Sequence, residues 1–187
     1  MHVEIADLSE AVLEHVPDWS DHGSAHDAEC RFCLYWEEPD RSKWPRPLHE
    51  REGLKREWVR RVPADFGACG KLAFVGSEAV GFCQFSPPTH LPNVTSYACG
   101  PPSSDAVFVA CLFVGSEHRG HGVGSALLRA VVAELSSRGV AAVETFARRG
   151  SADNPSGPLG FWLKHGFTVV REDDGFALVR RKLGQGL

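Results

Sequence analysis

The sequence predicts an α/β domain on a mixed sheet, and three observations predict it. Nine consecutive apolar residues, Ala106 to Val114, mark a strand buried on both faces, as the central strands of a sheet are. A helical pattern and a second apolar run follow directly, so strand, helix and strand form one βαβ unit, a right-handed crossover between parallel neighbours. Hairpin signals flank that unit and place antiparallel strands around the parallel pair. At 187 residues, 43% hydrophobic and 24% charged, without a visible repeat, the chain fits a single domain, 1–187, with a sizeable core.

The elements follow in order. In "HVEIADL", Val3 and Ile5 alternate with polar residues, as in a half-buried strand. Residues 20–47 carry Asp, His and Pro with little pattern around the aromatic segment "CLYW". They read as a long irregular connection of the kind that closes over a functional site. "PLHEREGLKREWVRRV" spaces Leu48, Leu54, Trp58 and Val62 for one face of a surface helix. "GKLAFVGSEAVGFCQFS" is a hairpin of strands at 71–75 and 79–86, and the proline-rich stretch to Asp105 is loop. After the central strand a helix runs to Arg138 on a stripe of Leu127, Leu128, Val131, Val132 and Leu135, and Gly139 stops it. "VAAVETFA" is the second strand of the βαβ unit. A short helix in "PSGPLGFWLKHGF" ends at Gly166, and "TVVREDDGFALVRRKL" is a last hairpin turning at Asp173 to Gly175.

A formal charge of −4 gives no general attraction for nucleic acid, so no nucleic-acid partner is expected and the partner is small. No run approaches the roughly 18 apolar residues of a membrane span. The start, "MHVEIADLSE", has neither the basic nor the apolar region of a secretory signal. The expectation is a cytoplasmic protein without membrane attachment. Cysteines at 30, 33, 69, 83, 99 and 111 are too sparse and irregular for a disulfide scaffold and read as reduced thiols.

The stretch "EHRGHGVGSALL", Glu117 to Leu128, concentrates the functional signal. Glycines between a strand and a helix remove side chains where backbone must approach something closely, and the first helical N–H groups then point outward with the positive end of the dipole. An anion site follows. A nucleoside triphosphate loop fails, because His121 and Gly122 stand where Lys and Ser/Thr must be. A dinucleotide fingerprint fails at Ser125, where a third glycine is required, although Glu144 mimics its ribose-binding acid. The arginine-led form [RQ]-x-x-G-x-[GA] is met by Arg119, Gly122 and Gly124.

With that motif in place, "LFVGSEHRGHGVGSALL" resembles the acyl-coenzyme A motif of the GNAT N-acetyltransferase superfamily, with Ser116 where proline is usual. "GFWLKHGF" is similar to the same family's Phe-Tyr-x-Lys-x-Gly-Phe segment. The resemblance implies the GNAT fold: a mixed, mostly antiparallel central sheet flanked by helices, with a central parallel βαβ unit. It implies acetyl-coenzyme A as co-substrate. Its pyrophosphate would lie on Gly120, His121, Gly122, Val123, Gly124 and Ser125, with Arg119 and His121 bordering the phosphates. Its pantetheine arm would lie along the backbone of Leu112, Phe113 and Val114. Asn154 and Trp162 complete the implied cofactor contacts. The implied reaction is acetyl transfer to the amine of a small-molecule acceptor, and the resemblance also admits a homodimer.

Trp162 departs from the family, because tyrosine, commonly the general acid, is usual there and an indole cannot give up its proton as a phenol can. "CRFCLYWEEPD" resembles a Cys-x-x-Cys-x-Tyr/Trp-Trp segment of one branch of these enzymes, and "VETF" resembles the Val-Glu-x-aromatic strand of that branch. On that basis Tyr35 and Glu144 are the candidate acid and base, and Cys33, Trp36 and Glu37 line the acceptor site. A hydrophobic cap under the long loop is the structural alternative for Phe32, Tyr35 and Trp36. A buried salt bridge with a local arginine is the alternative for Glu144. Glu37, Glu38 and Asp105 are weaker rivals as base.

His22, His26, Cys30 and Cys33 have ligand types suited to zinc but not the spacing of a finger, so no metal is expected, and packing or substrate lining remain open for the two thiols. Two other functions stay in view. One is a coenzyme A-binding regulatory protein without catalysis, favoured by Trp162. The other is transfer to a protein or aminoacyl-tRNA, for which a basic patch at "LKREWVRR" would be the sign.

Overall fold

The computed structural model describes residues 2–16, 30–150 and 157–184. Seven strands form one sheet in the order β1-β2-β3-β4-β5-β7-β6. They are β1 (Glu4–Asp7), β2 (Gly70–Val75), β3 (Glu78–Ser86), β4 (Ala106–Val114), β5 (Ala142–Arg148), β6 (Thr168–Glu172) and β7 (Phe176–Lys182). The helices are a single turn α1 (Glu10–Leu13), then α2 (Leu48–Phe66), α3 (Val123–Ser137) and α4 (Leu159–Lys164). Among these strands only β4 and β5 pair in parallel, as the βαβ pattern requires.

Each face of the sheet has its own core. On one face α1, α2 and the segment after Cys30 cover Leu72, Phe82, Phe108, Phe113 and Phe146. On the other, α3 and α4 cover Val107, Val109, Leu112, Val143 and Val179. Along β4 the two faces alternate, as the pleat dictates, until Ala110 and Cys111 both fall on the α2 side. The register explains it: Gln84 opposes Cys111 and Phe85 opposes Val109, so Ala110 is the extra residue of a bulge.

The parallel pairing is brief. Ala106, Val107 and Phe108 oppose Ala142, Val143 and Glu144, and there it ends. Beyond that point β4 stays with β3 as far as Val114, while β5 stays with β7 as far as Arg148. The sheet therefore opens as a wedge between its two halves, and the glycine loop stands at the wide end.

Helix α3 buries Val123, Leu127, Leu128, Val131 and Leu135, and Gly139 at φ 71° follows its end. Helix α2 does not bury the stripe expected of it. Its inward residues are Lys55, Trp58, Val59 and Val62, while Leu48 and Leu54 are exposed. The spacing is still that of one helical face, but a lysine occupies it, because its charge is met from across the interface. The same burial removes Lys55 from the basic patch that would mark a protein or aminoacyl-tRNA acceptor, and Arg56 spends its guanidinium on Glu52 and the Glu10 carbonyl. No helix among the described residues is long and apolar enough to cross a membrane.

Candidate active site

The loop from β4 to α3 is built by backbone geometry. Gly115 donates its N–H to the Val80 carbonyl, and a 3₁₀ turn over Ser116–His118 carries the chain to Arg119. Arg119 folds back on its own strand: Nε donates to the Val114 carbonyl at 3.0 Å, and the guanidinium lies 5.4 Å from the centre of the Phe113 ring. Gly120 and Gly122 then adopt φ 77° and 87°, the left-handed region that favours glycine. A Cβ at either position would meet nothing within 4 Å, so the glycines serve the turn and leave open space outside it.

Gly122 is the N-cap of α3, and no side chain caps the helix among the described residues. The first intrahelical bond runs from Ala126 N–H to the Gly122 carbonyl, so the N–H groups of Val123, Gly124 and Ser125 have no acceptor within the helix. Three donors at a dipole's positive end over open space suit an anion. The exposed His121 ring is held by Nδ1 against the Arg119 carbonyl at 2.8 Å. Val123, Leu112 and Phe113 bury their side chains in the two cores and can offer a ligand only backbone. Along β4 beyond Phe108 the edge facing β5 has no strand partner among the described residues, apart from the Val109 carbonyl, which accepts the Thr145 hydroxyl.

Trp162 corrects an expectation. It is 0% exposed, packed between Phe161 and Phe167, and leaves no surface for a cofactor. The ring that faces the loop is Phe161, 3.5 Å from where a Cβ on Gly124 would stand. His165 accepts the Ser125 hydroxyl at Nε2 (2.9 Å) and donates from Nδ1 to the Phe161 carbonyl (2.8 Å), so α4 is tied to the mouth of α3. Neither Phe161 nor His165 was singled out by the sequence, although both lie in the segment that carried the resemblance. Asn154, His22 and His26 lie outside the described residues.

On the α2 side the residues singled out from "CRFCLYWEE" come together over β3, β4 and β5. Trp36 stacks on Tyr97 (5.6 Å, 17°) and meets Phe108 edge-on at 5.3 Å. Tyr97 stacks on Phe146 (4.3 Å, 15°), and its hydroxyl shares a 3.0 Å hydrogen bond with that of Tyr35. These rings bracket Phe108 and Phe146, where β4 and β5 part. Burial pushes the Tyr97 phenol well above its ordinary range, and the bond to Tyr35 adds to this.

Glu144, the candidate base, is fully buried at the narrow end of the wedge. Its Oε2 accepts the Ser103 N–H, and its Oε1 accepts both the Ser103 hydroxyl and Arg180, each at 2.7 Å. Arg180 also forks onto Asp105. The salt-bridge alternative is therefore the arrangement found: Glu144 locks the last residue pair of the wedge, with its oxygens already occupied.

Glu37 and Cys33 sit beside the buried Lys55. Burial works against the lysine's charge, but Glu37, by charge and hydrogen bond, and the nearby Cys33 and Cys111 together raise its pKa. Burial also raises the thiols of Cys30 and Cys33, and that of Cys111 to about 12, so all three are neutral and unreactive at neutral pH. No group of three or more His, Cys, Asp or Glu among the described residues could hold a metal.

A sheet that splits at its parallel pair, next to a glycine-led helix without a side-chain cap, is the arrangement that the resemblance to the acyl-coenzyme A motif implies. The family model described as "Acetyltransferase (GNAT) family" matches residues 25–167, and this chain belongs to that family. Solved structures agree on the fold. The PaiA N-acetyltransferase of Thermoplasma acidophilum, in complex with coenzyme A, is 16% identical at TM-score 0.61, covering 97% of this chain and 99% of that one. An N-acetyltransferase of Staphylococcus aureus Mu50 is 12% identical at TM-score 0.62, covering 98% and 100%. The ribosomal-protein-S18-alanine N-acetyltransferase of Escherichia coli is 14% identical at TM-score 0.55, covering 100% and 99%. A search of curated proteins finds no match.

Proposed function

We propose that this protein transfers an acetyl group from acetyl-coenzyme A to the amine of a small-molecule acceptor, as a cytoplasmic enzyme of the branch marked by the Cys-x-x-Cys-x-Tyr-Trp segment. The observation that carries it is the wedge: among the described residues, a β4 edge without a strand partner runs directly into three N–H groups without acceptors at the mouth of α3. Acetyl-coenzyme A brings the activated thioester, whose thiol leaves readily with a pKa near 8.5. The N–H groups of Val123, Gly124 and Ser125 hold the pyrophosphate, and the backbone of Leu112–Val114 takes the arm as a strand-like addition. The bulge at Ala110 turns β4 backbone where an N–H can meet the developing oxyanion.

With an indole at Trp162, the acid falls to the hydroxyl pair of Tyr35 and Tyr97 on the opposite face, and Trp36, buried at 3% exposure and so not an acceptor contact, backs that pair. Glu144 holds the wedge together and is not the base, since Ser103 and Arg180 occupy its oxygens. Calorimetric titration with acetyl-coenzyme A, then thiol release with an amine library, tests the assignment. Binding with release supports the enzyme. Binding without release supports the non-catalytic sensor that Trp162 favours, and no binding overturns both.

A further inference from the structure

We infer that Glu37, positioned by Lys55, is the group that receives the acceptor's amine, and that the acceptor is a primary amine on an apolar stem; this rests on the acetyltransferase reading above. Lys55 lies in the buried stripe of α2 at 2% side-chain exposure, where a charge must be paired. Its Nζ donates to Glu37 Oε1 at 2.5 Å and to Gln84 Oε1 at 2.8 Å. Gln84 Nε2 also donates to Glu37 Oε1, at 2.7 Å. Both donors thus converge on one carboxylate oxygen. The other, Oε2, is buried and finds no donor among the described residues, on a side chain only 10% exposed. Buried carboxylate oxygens are nearly always satisfied. A carboxylate fixed at one oxygen and bare at the other is ready to accept one N–H from a ligand.

The surroundings say which ligand. Glu37 lines a cavity of about 310 Å³ between α2 and the segment that carries Leu34 to Lys43. Leu34, Leu54 and Trp58 give it an apolar wall. The remaining ionic residues at its edge cancel, Glu38 and Glu57 against Lys43 and Arg61, so the cavity selects no net charge beyond the amine itself. Gln84, which donates to Glu37, opposes Cys111 on β4, next to the bulge at Ala110.

The chemistry balances without further reactants. An incoming ammonium gives one proton to Glu37 Oε2, and the free amine forms a C–N bond with the thioester carbonyl carbon. The C–S bond breaks, and the second N–H proton ends on the departing sulfur. Glu37 then returns its proton to solvent. The products are the amide and free coenzyme A.

The test compares the whole protein with Glu37→Gln, an isostere that keeps an acceptor for Lys55 but replaces the bare oxygen with a donor. Acetyl-coenzyme A is the co-substrate, and short and long n-alkylamines are the probes. The expected result is a fall in kcat/KM of about 100-fold or more, with the acetyl-coenzyme A Kd unchanged. Lys55→Met is expected to raise the amine KM while that Kd holds; a merely structural lysine would weaken both together. Should either variant unfold, Leu54→Arg on the exposed wall serves instead, and it should penalise long amines more than short ones. Wild-type turnover in Glu37→Gln, or no chain-length effect in Leu54→Arg, overturns this inference alone. A wild-type protein that binds no acetyl-coenzyme A overturns the proposed function with it.

Discussion

Two substitutions at Gly122 separate what this glycine does for the fold from what it does for the ligand. It caps α3 at φ 87°, and a Cβ there meets nothing within 4 Å. Alanine therefore costs only the left-handed backbone, about 1–2 kcal/mol. For a chain of this length that lowers Tm by roughly 2–8 °C, at about 2–4 °C per kcal/mol. Gly122→Glu carries the same backbone cost and adds a negative charge beside the N–H groups of Val123, Gly124 and Ser125. Like charges about 4 Å apart repel by about 1 kcal/mol in water and about 4 kcal/mol at an effective dielectric constant near 20. Acetyl-coenzyme A should then bind about fivefold to about a thousandfold more weakly to Gly122→Glu than to Gly122→Ala. Added salt should narrow that gap, since the loop is exposed. Thermal denaturation and calorimetry measure the two effects independently. Equal affinity in the two variants, at equal Tm, would show that no phosphate rests on this loop.

Four further outcomes follow from the geometry. Trp162→Ala should cost about 3–5 kcal/mol in urea unfolding, as for a fully buried aromatic, and a loss under about 1 kcal/mol would mean the ring is not in the core. Glu144→Gln should lower stability by about 1–3 kcal/mol and turnover by less than about tenfold; a large loss of turnover at unchanged stability would restore it as base. Tyr35→Phe and Tyr97→Phe should each lower kcat about 100-fold, with the double variant no worse than either single, and wild-type kcat in both would remove the pair as acid. Glu52, bound by Arg31 and then Arg56, has its carboxyl held below the ordinary range. A depressed folded pKa gives stability that is full above the ordinary value near 4.3 and lost as pH falls through the lower one. Glu52→Gln should therefore lose about 1 kcal/mol at neutral pH and match the wild type in strong acid, and urea titrations across that range would show whether it does.

The fold was legible because its signals are periodic and local. The apolar run of β4, the stripe of α3 and the stopping glycines Gly139 and Gly166 each depend on residues within one element, and each appears where expected. The face of α2 was misread because hydrophobicity assigns Lys55 to solvent. What buries it is Glu37 and Gln84, respectively 18 and 29 residues away in sequence, and no pattern along the helix contains that information. The partners of Glu144 were hidden for the same reason: Ser103 and Arg180 are 41 and 36 residues away.

The two halves of the site differ in the same way. The proposed coenzyme side is made of backbone: positive φ at Gly120 and Gly122 and, among the described residues, N–H groups of α3 and an edge of β4 without partners. Such a site requires particular residue types at fixed short spacings, so a sequence displays it. The proposed acceptor side is made of side chains that converge across long loops: Tyr35 on Tyr97, Trp36 on Phe108, Glu37 on Lys55. Those pairs can be exchanged while the wedge stands, since none of them sets the split between β4 and β5. Loss of the usual phenol at Trp162 is then tolerable, because the acid can be supplied from the opposite face. If so, restoring it with Trp162→Tyr should not rescue Tyr35→Phe, because position 162 packs into the core and not into the wedge; rescue of kcat by that double variant would show that α4 still supplies the acid.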